Sequence, residues 1–304
     1  MPQYRGYAST DYARAFADAG VTRVLPQSGA ILLERSIEGT SARDAMGLYP
    51  LFSCPRWAVL GDDLASLEGS LVTVVCVVDP LRPPPSEDIA RSCFPHLCSR
   101  WKDHIVLRNP GAWQASASAH HRRYARSARR SLTVEPSVVD DVLVREWQSL
   151  YAELIVRHDI RGIPNFSRDS LRAQLETPGT LVVTARDDHG TAVAIALFMV
   201  DGADAWYHLG ASSVAGYAAR ASFGIFGEAF EELGRRGVER VDLGAAAGIS
   251  PTAAGGLLAF KTGWSEARLP TWLCGRVLDR STYVRLCDTR ADSGTYFPAY
   301  RAPR

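Results

Sequence analysis

A strand-helix-strand unit in the last third of the chain places the strongest constraint on the fold. The sequence predicts a strand at 205–211, a helix at 217–236 and a second strand at 238–243. A crossover of roughly 30 residues suits parallel pairing of the two strands. Large apolar side chains recur in the helix at steps of three and four, which gathers on one buried face Phe223, Phe226, Phe230 and Leu233.

Residues near the ends of this unit carry further signals. Gly237 follows the helix at the point where a residue free to adopt positive φ terminates a helix well. Asp242 lies near the carboxyl end of the second strand, where a carboxylate is costly unless it is hydrogen-bonded or faces a cleft. The run GGLLAFKTGW at 255–264 then contains one charged residue, Lys261. We therefore expect a ligand to bind beside this run.

The rest of the sequence predicts a mixed α/β architecture. Strands at 181–185, 192–200 and 205–211 form an antiparallel meander before the parallel unit, and a last strand is expected near 268–278. In the first half, helices are expected at 9–19, after Asp62 and from Ser86, and strands near 31–34, 57–60, 72–78 and 101–107. The predicted fold class is α/β, with mixed sheets of the α+β kind covered by helices.

Length and charge limit the classes of protein that this chain can represent. With 304 residues, 46% of them hydrophobic, the chain is long enough for two domains, which we place at 1–115 and 116–304. A net charge of +1 excludes a globally basic nucleic-acid binder but leaves room for a local basic patch. The longest apolar runs, 71–78 and 192–200, are far shorter than the roughly 20 residues that span a bilayer.

The cysteines and the N-terminus indicate a cytoplasmic protein. The six cysteines form no CxxC pair and have no histidines at zinc-finger spacing, so we expect no metal site and reduced thiols. The first 12 residues lack the basic and apolar regions of a secretory signal.

An arginine-rich helix predicted at 120–130 is the second distinctive segment. Arg122, Arg126 and Arg129 share one helical face, and Arg123, Arg126 and Arg130 share a neighbouring one. Five like charges without interleaved acids indicate either a solvated helix face or a contact with phosphates or a nucleic-acid backbone. Ala125 stands where some acyl-transferring enzymes have an aspartate four residues after a histidine base, which argues against that motif at His121.

Several of these segments together resemble the FemAB branch of GNAT-fold transferases. The resemblance covers most of the chain, strongly over 116–279 and loosely before that. Its motifs are the arginine-rich helix before Val134, the strand ends YHLGAS at 207–212 and DLG at 242–244, the run GLLAFK at 256–261, and segments 49–55 and 79–80.

The resemblance implies tandem GNAT-like lobes with a cleft between them, the second opening with the arginine-rich helix. It also implies an acyltransferase that forms an amide. Fem-type enzymes transfer an amino acid from aminoacyl-tRNA to the amine of a peptide, often a cell-wall precursor. We therefore expect aminoacyl-tRNA as co-substrate, no cofactor, and as acceptor a nucleotide-linked wall precursor or a peptide natural product.

Aminolysis of an ester passes through a tetrahedral oxyanion, and a cation placed where that charge develops lowers the barrier by about 3 kcal/mol. Lys261 is the candidate cation on the strength of the resemblance; otherwise it would be a surface lysine at the end of a short helix. Phe260 is expected to pack beneath the site. Trp264 is either a core residue or a stacking platform for a base or acceptor ring.

Asp242 and His208 are the candidate bases for the proton that an acceptor ammonium must lose. Each also has a structural interpretation, as a strand-end cap and as a half-buried histidine. Strand alternation directs Tyr207 to one face and Trp206 and His208 to the other, so only one of these sets can face the cleft.

The donor is indicated by a missing motif. The stretch VAGYAARAS at 214–222 lacks the basic, glycine-rich loop with which CoA-dependent GNAT proteins cradle pyrophosphate. This favours aminoacyl-tRNA. The alternatives are an acyl-CoA-dependent N-acyltransferase and a catalytically inactive GNAT-like module whose arginines bind RNA or phosphates.

The remaining predicted binding residues fall into two groups. Contact with tRNA or phosphate is expected from Arg122, Arg123, Arg126 and Arg220. Contact with the acceptor is expected from Arg35, Tyr49 and Arg56 in the first lobe, and Tyr207, Phe260 and Trp264 complete the substrate-binding set.

Overall fold

The computed structural model describes residues 4–246, 255–288 and 296–302. The strands are β1 (Val21–Val24), β2 (Ile31–Ser36), β3 (Arg43–Gly47), β4 (Thr73–Val77), β5 (Leu97–Arg108), β6 (Thr133–Pro136), β7 (Thr180–Arg186), β8 (Ala192–Asp201), β9 (Asp204–Ser212), β10 (Arg240–Gly244) and β11 (Arg268–Val277). The α-helices are α1 (Thr10–Ala13), α2 (Leu60–Ala65), α3 (Glu87–Cys93), α4 (Ala119–Ser131), α5 (Asp141–His158), α6 (Arg168–Glu176), α7 (Val214–Ala218), α8 (Ala221–Arg235), α9 (Gly255–Thr262) and α10 (Arg280–Asp288). Within these residues, no helix combines the length and apolar character needed to cross a bilayer.

The chain divides into two compact units, each discontinuous in sequence. The central unit comprises residues 1–6 and 103–269, and the terminal unit comprises 7–102 and 270–304. The boundary therefore lies at 102/103 rather than at the expected 115/116, and the C-terminal segment joins the N-terminal residues. The reason is β11, whose residues 273–277 pair with β4 at 73–77 and so return the chain to the terminal unit.

The central unit is a mixed sheet with strand order β5-β10-β9-β8-β7-β6. All neighbours pair antiparallel except β9 and β10, which pair parallel as the crossover length predicts. Helix α8 packs its apolar face on this sheet through Phe226, Phe230 and Leu233, all buried. Helices α5 and α6 contact β7, β8 and β9.

The crossover helix is shorter than predicted. Residues 214–218 form α7, and Arg220 then adopts a left-handed conformation with φ of 59° before α8 begins. Ser213 caps α7 through its side-chain oxygen, which accepts the Gly216 N–H. The predicted stop at Gly237 is confirmed, with φ of 78° at that residue.

The terminal unit has the strand order β1-β2-β3-β4-β11. The strand expected at 57–60 is wrong: residues 57–59 form a 3-10 turn that leads into α2. Trp57, Leu60 and Leu64 follow helical spacing and are all buried in the core of this unit. The helix expected from Ser86 is confirmed as α3, whose Ile89 N–H is accepted by the Ser86 hydroxyl at 3.3 Å.

One buried carboxylate ties the C-terminal segment to β3. Asp44 accepts hydrogen bonds from Arg301 Nε at 2.9 Å, Tyr300 Oη at 3.1 Å and Arg35 Nη2 at 3.3 Å. Because the carboxylate is almost fully buried, its removal would leave two guanidinium groups facing a space without their counter-charge.

We expect Asp44→Ala to lower the free energy of unfolding by about 3 kcal/mol, because breaking a buried pair leaves an uncompensated charge. Urea denaturation of the full chain measures this. As a control, Glu87→Ala removes an exposed ion pair with Arg91 within α3 and should leave the urea midpoint unchanged. Equal losses in the two variants would contradict this account of Asp44.

Candidate functional site

The parallel strands β9 and β10 part at their carboxyl ends. Within the described residues, Arg240–Asp242 of β10 pair with Asp204–Trp206 of β9. Beyond this pairing, β9 continues to Ser212 and β10 to Gly244. On the edge that pairs with β8, β9 has a bulge at His208: Leu197 pairs with Leu209 and the next residue, Phe198, pairs with Tyr207, which leaves His208 without a partner in the ladder. In open α/β sheets ligands bind beyond the carboxyl ends of the strands, so this divergence marks the candidate site.

Lys261 lies at this point. Only 6% of its surface is exposed, and its ammonium donates to the Ala245 carbonyl at 2.7 Å and lies 5.9 Å from the centroid of the Tyr207 ring. A buried ammonium is costly unless it has partners, and here a carbonyl and an aromatic face supply them. Gly244 has φ of 79°, and a side chain there would place its Cβ 2.9 Å from the ammonium. The predicted cation is therefore held in a fixed, desolvated position.

Lysine is rare in this protein, which makes its use at this position informative. The 34 basic residues include two lysines, Lys102 and Lys261; all the others are arginines. An ammonium is a compact charge that fits where a planar guanidinium does not.

An aromatic cluster anchors α9, which carries Lys261. Phe260 packs against Phe223 and Phe226 at centroid distances of 5.0 and 4.9 Å. Trp264 is completely buried and contacts Phe226, Phe230 and Trp113. Phe260 therefore packs against α8 next to Lys261, and its place beneath a substrate site stays a prediction. The burial of Trp264 favours its core interpretation over the stacking platform.

His121 joins the arginine-rich helix to the end of α9. Its Nε2 lies 2.8 Å from the Phe260 carbonyl, which can only accept, so Nε2 carries the proton and Nδ1 accepts from the Ser118 hydroxyl at 2.9 Å. Desolvation lowers the pKa of His121, which favours the neutral ring. Gly263 packs so closely on this imidazole that a Cβ would overlap it. His121 therefore acts as an anchor for the helix that presents Lys261.

Asp242 is paired with a histidine that the sequence did not single out. The carboxylate is 2% exposed, and its oxygens lie 2.8 and 3.0 Å from Nδ1 of His104 on β5. One of them also accepts the Gly244 N–H at 2.7 Å. The two residues are 138 positions apart, and no local pattern marks His104 as a site residue.

His208 lies away from Lys261. Its Nε2 is 2.9 Å from the side-chain oxygen of Gln174 on α6, whereas the neighbouring Tyr207 packs on Phe226 of α8 at 4.8 Å. Burial lowers the pKa of His208 from 6.5 to about 3. Of the two alternative sets on β9, the one that contains Tyr207 is the one beside Lys261.

The predicted arginine contacts separate into engaged and exposed side chains. Arg122 donates to the Gln114 and Ala117 carbonyls. Arg129 pairs with Glu228 and Glu231.

Arg123 and Arg126 are exposed, as is Arg220, whose guanidinium lies 3.8 Å from the centroid of the Tyr124 ring. We call Arg123, Arg126, Arg220 and Tyr124 the arginine surface. Tyr124 contacts Phe223 at 5.1 Å, and Phe223 contacts Phe260, the neighbour of Lys261.

The three predicted acceptor residues of the first lobe belong to the terminal unit. Arg35 is bound to Asp44, and burial lowers its pKa. Tyr49 accepts a hydrogen bond from Tyr12 at its carbonyl, and burial raises the pKa of its phenol. Arg56 is exposed. Their contact with an acceptor stays a prediction.

Comparison with known proteins identifies the fold. No protein-family model matches the sequence, and no curated protein is similar to it. Among solved structures, FemX covers 93% of this chain and 95% of its own, with a TM-score of 0.67 and 13% identity. The C-terminal domain of a putative lysylphosphatidylglycerol synthetase from Agrobacterium fabrum covers 92% and 89%, with a TM-score of 0.60 and 18% identity. L-PGS from Bacillus licheniformis covers 90% and 93%, with a TM-score of 0.56 and 13% identity. These similarities confirm the predicted α/β, GNAT-like fold class.

The lowered pKa of His208 predicts a specific acid sensitivity. The unfolded chain binds a proton at this residue below pH 6.5 and the native state does not, so the free energy of unfolding falls as the pH falls below 6.5. His208 contributes at most about 1.4 kcal/mol per pH unit to the slope of the free energy of unfolding against pH. We expect His208→Gln to flatten the curve between pH 6.5 and 4 in urea titrations, and His189→Gln, at an exposed turn, to leave it unchanged. An unaltered slope in His208→Gln would contradict this.

Proposed function

We propose that this chain is an acyltransferase that moves an amino acid from aminoacyl-tRNA to the amine of a peptide or nucleotide-linked peptide. The observation that carries the proposal is the buried Lys261 ammonium at the diverging ends of β9 and β10. Attack of an amine on the ester carbonyl turns its oxygen into an oxyanion. A cation already fixed in a desolvated position stabilises that charge with little reorganisation.

The positions of the charged and aromatic residues support RNA as the carrier of the acyl group. The arginine surface combines exposed guanidinium groups with an aromatic ring, a combination that binds phosphates and stacked bases. Contacts run from Tyr124 through Phe223 to Phe260, so a nucleotide on this surface would place its ester near α9. The stretch at 214–222 offers no glycine-rich pyrophosphate loop for CoA.

The comparisons are consistent with this chemistry. One of the structural neighbours is named a putative lysylphosphatidylglycerol synthetase, and another is FemX. The Fem-type resemblance of the sequence implies transfer from aminoacyl-tRNA to an amine.

We expect Lys261→Met, which removes the charge and retains the length, to lower kcat by about 10²- to 10³-fold, because it deletes one oxyanion partner. The assay supplies total tRNA charged with labelled amino acids and a panel of acceptor peptides, with mass detection of the added residue. Lys102→Met, at the chain's other lysine, is the matched control and should retain full activity.

The same assay separates the competing functions. Ribonuclease treatment should abolish product formation. Turnover with acyl-CoA after that treatment would favour the CoA-dependent alternative. Absence of turnover with either donor, together with salt-dependent RNA binding, would favour the binding module.

We expect the double variant Arg123→Ala and Arg126→Ala to weaken tRNA binding and to reduce the slope of log K against log salt by about 1.5, since each phosphate contact contributes roughly 0.7 to 0.9. Fluorescence anisotropy with labelled tRNA between 50 and 200 mM salt, the range over which such contacts are resolved, measures this. Arg235→Ala with Arg236→Ala, at the far end of α8 beside Glu232, is the control. Equal slopes in both double variants would rule out the arginine surface as the tRNA contact.

A further inference from the structure

Transfer to an amine needs a proton acceptor in addition to an oxyanion partner, because the nitrogen must lose a proton as its bond to carbon forms. The buried pair of His104 and Asp242 has the geometry of such an acceptor. Both carboxylate oxygens lie within 3.0 Å of Nδ1, and the Gly244 N–H fixes one of them from the other side. An ionised carboxylate only accepts, so Nδ1 carries the proton and Nε2 is the basic nitrogen.

The pair adjoins the candidate site through the backbone of β10. Asp242 is the last residue of β10 paired with β9, opposite Trp206. Two residues later, Gly244 abuts the Lys261 ammonium, and Ala245 accepts its hydrogen bond. His104 and Lys261 are therefore connected through Asp242, Gly244 and Ala245 at the point where the strands part.

The His104 imidazole and the Lys261 ammonium approach the diverging ends of β9 and β10 from opposite faces of the sheet. Residues directly opposite in a ladder share a face, so Asp242 lies on the face of Trp206, and alternation turns Tyr207, which contacts Lys261, to the other face. His104 is two residues from Val106, the partner of Asp242 on β5, and shares its face. An acyl group held in the gap would direct its oxygen to Lys261 and receive the amine on the His104 side.

The imidazole is also less enclosed than its partner. The His104 side chain keeps 11% of its surface exposed, against 2% for Asp242. A purely structural tie between strands already exists at the other end of β9 and β10, where Arg240 binds Asp204 at 2.8 Å.

We propose that His104, oriented by Asp242, is the base that accepts the proton from the acceptor amine. This inference rests on the proposed acyl transfer. The amine lone pair forms the C–N bond while a nitrogen proton passes to Nε2 of His104. The ester C–O bond then breaks, and the departing ribose oxygen takes that proton, so that ester and amine become amide and alcohol. His104 is the catalytic residue, and Asp242 is a positioning residue that holds the tautomer and stabilises the imidazolium.

The test uses His104→Asn, whose amide can still donate to Asp242 but cannot accept a proton, and Asp242→Asn. In the tRNA-and-peptide assay each should lower kcat at least 100-fold, with KM changed by less than about threefold. Asp204→Asn, which weakens the ion pair at the other end of the same strands, should retain wild-type kcat. His104→Gln is a second variant in case His104→Asn does not fold, as judged by its urea midpoint.

Two further readouts respond to lost base catalysis and not to lost packing. Added imidazole should restore at least tenfold activity to His104→Gly. The nitrogen of hydroxylamine is much less basic than a peptide amine, so its adduct with the ester carbonyl loses a proton to water without a protein base. Enzyme-dependent formation of aminoacyl hydroxamate should therefore fall less than tenfold in His104→Asn and more than 100-fold in Lys261→Met.

The outcomes separate this inference from the proposed function. Wild-type kcat in the folded His104 variants would overturn the role of His104 and leave the proposed function intact. Equal losses with peptide and hydroxylamine, without rescue by imidazole, would have the same meaning. If the wild-type protein transferred from acyl-CoA and not from tRNA, the same variants would test His104 with that donor. A wild-type protein inactive with both donors would overturn the proposed function and this inference together.

Discussion

The candidate site depends on the burial of one ammonium group where two parallel strands separate. At that point Lys261 lies beside Gly244 and the Tyr207 ring. The Ala245 carbonyl and the Tyr207 ring are the partners that make burial of the charge tolerable. A charge fixed in this way interacts more strongly with a nearby opposite charge than it would in water, because solvent does not screen the interaction.

The residues around this point supply rigidity rather than chemistry. Phe260 of α9 packs edge to face against Phe223 and Phe226 of α8, and pairs of this kind contribute about 0.5 to 1.5 kcal/mol each beyond their buried area. His121 adds a directional contact, because its proton is committed to the Phe260 carbonyl. A positioned cation needs such support, since a displacement of about 1 Å can remove most of its effect on a reaction.

Some arginines of the central unit are paired with carboxylates and others are exposed. Several arginines of this unit are paired with carboxylates, as Arg129 is with Glu228 and Glu231. Arg123, Arg126 and Arg220 of the arginine surface are exposed, and Arg123 and Arg220 lie over the Tyr124 ring. A chain with a net charge of +1 can therefore still present a local positive surface to an anionic ligand.

The sequence determined what short-range periodicity encodes. It predicted the buried face and the end of α8, the parallel pairing of β9 with β10, and the mixed sheet. The choice of Lys261 and Phe260 as residues of one site came from the family resemblance and stays a prediction. Tertiary structure alone decided the partner of Asp242 and the side of β9 that faces Lys261. It also decided the return of residues 270–304 to the terminal unit. The physical reason is range: helical and strand patterns repeat within a few residues, whereas His104 meets Asp242 across 138 positions through strand pairing that no local pattern specifies.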